Sequence, residues 1–146
     1  MFKIIIFLLW LSIIHALWEI QIEGHNGWAK RLPCWRLNVF FRKLLGGKPL
    51  TGYHVYMMIL FITLFHGAFL FIQWNWEAER KMIALLCWYF VIEDFLWFLL
   101  NKHYRWKNFW QQNIEWHKRW FFHLPISYWI AIILGIILFI IKIKEV

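Results

Sequence analysis

The sequence is poor in the residues that build thiolate, protease and nucleotide sites. Its two cysteines are badly placed to pair, because Cys34 falls between apolar runs and Cys87 lies inside one, close to its opposite end. A disulfide, a thiolate zinc site and an iron–sulfur cluster are therefore not expected. The H-E-x-x-H of zinc proteases and the Gly-rich loops of nucleotide sites are missing. So is the Glu-x-x-His spacing that di-iron four-helix proteins carry on two helices. No RNA- or DNA-binding motif accompanies the net charge of +8. Its basic residues stand in short runs beside apolar stretches, so anionic lipid headgroups rather than nucleic acid are the expected partner. No internal repeat or low-complexity tract is visible.

What fills the chain is apolar surface. Of the 146 residues, 62% are hydrophobic and 23% aromatic, against roughly 45–50% apolar in soluble domains. A soluble fold cannot hide that much. The 13 tryptophans suit the headgroup layer, where an apolar ring with a polar N–H is at home.

Four apolar runs, Ile4–Ile22, Tyr53–Trp76, Met82–Leu100 and Leu124–Ile141, approach the roughly 20 residues a helix needs to cross about 30 Å of hydrocarbon. None shows the short alternating pattern of barrel strands. Lys3 before the first run and Ile14-His15-Ala16 within it loosely resemble a secretory signal. Apolar character continues past that point, so a span is the preferred assignment. The expected fold is an all-α integral membrane protein, a single domain of four transmembrane helices in a bundle. Two interfacial amphipathic helices are expected on one side, over residues 35–45 and 104–121. The first would set Trp35 beside Arg36, Arg42 and Lys43, and the second Trp106 and Trp110, at the membrane surface. The stretch Glu77–Lys81 reads as the tight turn between spans two and three.

Four spans leave both chain ends on one side, and the two long connections opposite carry 11 of the 16 basic residues. The positive-inside rule then places the long connections in the cytoplasm and both termini outside, in an inner or plasma membrane.

Acids and histidines gather at the level of those connections. Glu19, Glu23 and His25 come from the end of span one, His54 from the start of span two, and Glu115 and His117 from the approach to span four, with His123. Span three brings Glu93 and Asp94, about 12 Å from its end at helical rise, followed by Asn101 and His103. A carboxylate in hydrocarbon costs roughly 2.5–3.5 kcal/mol unless paired, protonated or bound to metal, and no basic residue lies inside any span. His15, Glu19 and Glu23 also recur every four residues on one helix face. Each residue has a plainer interpretation. His15 can be an ordinary hydrogen-bonded interior histidine, Glu23 and His25 solvated at a helix end, and His103 and His123 interfacial. Glu93 and Asp94 can be protonated or paired with a basic side chain. His66 lies too deep to join the group, and His15 and His66 differ too much in depth to clamp a haem.

Carboxylates with imidazoles suit iron, manganese or zinc. The set expected to ligate metal is Glu19, Glu23, Glu93, Asp94, His54 and His117, with His15, His25 and Asn101 around it and Glu115 moving protons with His103. The leading expectation is a small metal-dependent membrane enzyme, oxidative or hydrolytic, acting on a lipid-soluble substrate at the cytoplasmic leaflet. A cation or proton carrier using the same acids as a relay is the alternative. A non-catalytic subunit of an oligomer or larger membrane complex is the third.

Overall fold

A computed structural model describes residues 2–37, 49–104, 106–110, 112 and 114–141. The described chain is mostly helical. Helix α1 covers Phe2–Glu23, α2 Gly52–His66, continued by a 3₁₀ turn over Gly67–Leu70, and α3 Trp76–Leu100. These three segments are long and apolar enough to cross a membrane, which marks the protein as membrane-associated. The run expected as a fourth span contributes α5, Ile126–Ile140, of 15 residues. At 1.5 Å per residue that is about 22 Å, short of the hydrocarbon thickness.

Capping chemistry sets the helix ends. Gly24 takes a positive φ of 60°, and its N–H bonds Ile20 O at 3.0 Å, which stops α1. Thr51 caps α2 by accepting from the His54 N–H, and Asn75 caps α3 by accepting from the Ala78 N–H at 2.8 Å. The Asn75 cap corrects one expectation. Glu77–Lys81 is not the turn between spans but lies within the opening of α3, where Glu77 and Glu79 favour the positive helix end. The turn falls earlier, at 71–75, and the second span ends at Leu70 rather than Trp76.

The two interfacial helices also need correcting. The first does not begin at Trp35, because Arg36–Leu37 forms strand β1 against β2, Leu50–Thr51. The Trp35 carbonyl accepts the Gly52 N–H at 2.9 Å. This pairing ties together the ends of the long connection. The rest of that segment, with Arg42 and Lys43, lies outside the described residues. In the second, only α4, Trp106–Trp110, is helical. Gln112 takes a positive φ of 55°, and the chain ends in a hairpin of β3, Trp120–Phe121, and β4, Leu124–Pro125. Phe122 and His123, both at positive φ, form its turn. Trp110 is exposed, but Trp106 is not a surface anchor. It stacks on the fully buried Phe109 at 5.1 Å between ring centres and meets Phe95 edge-on.

Helix α3 is the centre of the molecule, packed against α1 on one flank and α5 on the other. Two apolar clusters fill the interior. One, at the end near the long connections, is built on Ala16, Trp97, Phe98, Phe109, Trp116 and Tyr128. The other joins Leu8 of α1, Met57, Phe61 and Phe65 of α2, and Leu86 and Tyr89 of α3. Few backbone contacts join α2 to α3; aromatic side chains bridge the distance.

Candidate metal centre

A polar seam runs between the clusters along one face of α1. Ser12, His15, Glu19 and Glu23 are all buried, and their spacing of three or four residues stacks them in register. Glu93 of α3 and His54 of α2 close on this seam. His15, Glu19 and Glu93 form one group whose nitrogen and carboxylate oxygen atoms lie within 4.8 Å of one another, and Glu19, Glu23 and His54 form a second. Glu19 belongs to both.

Each imidazole is oriented by a hydroxyl. Tyr89 Oη lies 2.7 Å from His15 Nδ1, and Thr51 Oγ1 lies 2.6 Å from His54 Nδ1. Both rings thus keep Nε2 for other partners, an arrangement typical of histidines that ligate metal. His54 Nε2 stands 3.7 Å from Glu23 Oε1, and the His54 ring is stacked on Trp28 at 4.0 Å. His15 packs on Phe61 at 4.1 Å, with its Nδ1 3.9 Å from Glu93 Oε1. The Ala29 N–H donates to Glu23 Oε1.

The chemistry of this donor set fits a metal. His15 Nε2, Glu19 Oε1, Glu93 Oε1 and the Tyr53 hydroxyl are buried without a hydrogen-bond partner, and an unmet polar atom in a buried site costs about 1–3 kcal/mol. Neither Glu19 nor Glu93 has a lysine or arginine partner among the described residues. Carboxylates this close need cations to offset their charge. Hard oxygen donors and neutral imidazoles match iron, manganese or zinc.

The structure sorts the residues singled out from sequence. It brings together Glu19, Glu23, Glu93 and His54, and it moves His15 from the surroundings into the ligand set. Asp94 and His117 stand outside both groups. His117 Nε2 donates to Asp94 Oδ2 at 2.9 Å, and the Tyr128 hydroxyl donates to the same oxygen. The pair is a hydrogen-bonded acid and base beside the cluster, close enough for the Asp94 charge to act on Glu19. Asn101 is structural: its Nδ2 donates to Gly24 O at 2.7 Å and its Oδ1 accepts from the N–H groups of His103 and Tyr104. This clamps the end of α3 to the end of α1.

Glu115 and His103, expected to move protons, are exposed. Glu115 bridges to Lys30 at 3.2 Å, and the turn that carries it directs the carboxylate away from the cluster. His25 and His123 are likewise exposed. Arg36, exposed as a surface residue should be, donates to the carbonyls of Ala29, Leu32 and Cys34. His66 pairs with Glu79 at 2.9 Å, outside both groups.

Sequence reasoning missed Ser12, Thr51, Tyr53 and Tyr128. Ser12 continues the α1 stripe three residues before His15, and Thr51 is a helix-cap signal three residues before His54. Either was findable. Tyr128 reaches Asp94 across 34 residues, which no local pattern reveals. Comparison with protein-family models, curated proteins and solved structures finds no match to this chain.

Proposed function

We propose that the chain is a small metal-dependent membrane enzyme in which Glu19 joins two metal positions. His15 and Glu93 complete one and Glu23 and His54 the other. The observation that carries this proposal is the sharing of Glu19 by two buried ligand groups, the plan of a two-metal site. Bound iron, manganese or zinc supplies Lewis acidity, and iron or manganese supplies redox capacity as well. The protein's own part is to fix both imidazoles through Tyr89 and Thr51 and to exclude water with Trp28 and Phe61. The Asp94–His117 pair holds a proton next to the ligands.

In this proposal α5 is the fourth crossing of a bundle, its short length accommodated by local thinning of the bilayer. The long connections face the cytoplasm, and a lipid-soluble substrate, oxidised or hydrolysed, arrives from that leaflet. A relay of protons or cations is disfavoured, because the polar seam stops at Ser12. Beyond it Leu8, Phe61, Phe65 and Leu86 close the interior.

Elemental analysis of the detergent-purified protein tests the proposal. The expected content is about two ions of iron, manganese or zinc per chain. Glu19→Gln should remove both and Glu93→Gln mainly one, while His117→Ala and Asp94→Asn should keep them. Full occupancy in Glu19→Gln would sink the shared-ligand arrangement. Metal-free wild-type protein would favour a carrier or an assembly subunit.

A further inference from the structure

A groove of about 440 Å³ opens between α1 and α2, within the roughly 300–1,000 Å³ typical of ligand sites. Its walls are Trp18, Trp35, Tyr53, Tyr56, Met57 and Leu60, with Cys34 and Gly52 also facing it. Nearly everything it presents is hydrocarbon or aromatic ring. One wall depends on a glycine, since a Cβ on Gly52 would fall 2.5 Å from the Trp35 indole nitrogen. Only the bare backbone lets that ring lie where it does.

The groove is continuous with the metal ligands. Trp18 packs 5.9 Å from the His15 ring. Tyr53 precedes His54 and meets its ring edge-on at 5.2 Å. The Tyr53 ring lines the groove while its hydroxyl, near Glu19, is buried and without a hydrogen-bond partner. The apolar trough thus ends on an orphaned hydroxyl and on the orphaned Oε1 of Glu19. A pure hydrocarbon lying there would leave both polar atoms unmet, and a wholly polar solute would leave the aromatic walls against it. An amphiphile satisfies both ends.

We propose that the groove between α1 and α2 binds the alkyl chain of a single-chain amphipathic substrate whose oxygen-bearing head reaches Tyr53 and the metals at Glu19. This rests on the two-metal function proposed above and adds the shape and chemistry of what it acts on. Leu60 and Trp35 hold the chain, and Tyr53 marks the boundary between chain and head.

Hydroxamates of two lengths supply the test, because both carry one metal-binding head and only the longer has a tail. The protein is placed in lipid nanodiscs in a Cys87→Ser background, so that Cys34 reports on the groove through its rate of reaction with a maleimide. On metal-loaded protein, octanohydroxamate should bind at least about tenfold more tightly than acetohydroxamate, given the transfer free energy of buried methylenes, and should slow Cys34 labelling. Leu60→Trp, which fills the groove, should erase the chain-length gain while leaving metal content and acetohydroxamate affinity unchanged. With metal bound, equal affinities for the two lengths, or a gain that survives Leu60→Trp, overturns the groove alone. Protein that holds no metal overturns the groove assignment together with the metal centre.

Discussion

At Gly27 the backbone takes φ of 59°, and a Cβ there would lie 2.2 Å from the Trp116 ring. Trp116 in turn stacks on Phe98 at 5.7 Å, so the ring cannot retreat without opening the cluster. Gly27→Ala should therefore cost about 1–3 kcal/mol, combining backbone strain with overpacking. Gly24 has the same kind of φ but open space around it, and its alanine variant should cost only the strain. Melting of the two variants in detergent checks this, with the larger fall in Tm expected at Gly27. Glycines of this kind stand out in sequence only as turn formers. Glu19 and Glu93 were legible for a different reason: a carboxylate among apolar residues is conspicuous because it is costly. Their partners were not. Whether Asp94 joins metal or His117 depends on a side-chain direction set by α5 through Tyr128, and depth along the chain carries no such information. Glu115 and His103 share the right depth, yet they sit on turns facing outward.

Among the elements, α5 depends on a residue of another helix. Buried Arg80 of α3 donates to the carbonyls of Leu138, at 2.9 Å, and Ile141, which satisfies acceptors the helix end leaves open. Arg80→Met should speed amide exchange in the last turn of α5 and lower stability by about 1–3 kcal/mol, the range for hydrogen bonds to a charged group. Exchange at the start of α1 should not change, and equal loosening of both helices would contradict the capping role. The helical runs themselves were readable from hydropathy. Their ends were not, since Asn75 rather than the charged Glu77–Lys81 stretch opens α3. The two surface segments misled for a related reason. Aromatic and basic residues recurring every three or four positions resemble an amphipathic helix, but Phe109 and Trp116 occupy such positions because a non-helical chain packs them inward. Trp35–Leu37 is extended because the start of α2 needs a partner for its N–H groups.

For the molecule as a whole, orientation is the open arrangement with the clearest test. The proposed topology puts Cys34 at the cytoplasmic leaflet. In the Cys87→Ser background, a membrane-impermeant maleimide should label inverted vesicles and leave right-side-out vesicles unmodified. The reverse pattern would turn the protein over and place the groove at the outer leaflet.

The apolar closure below Ser12 has its own consequence for such a protein in an energised membrane. Moving one charge across the bilayer is worth about 2.3 kcal/mol per 100 mV, and a continuous wet channel would let protons run down that gradient unused. With Leu8, Phe61, Phe65 and Leu86 sealing one half, acids and imidazoles can exchange protons at a single leaflet without short-circuiting the cell.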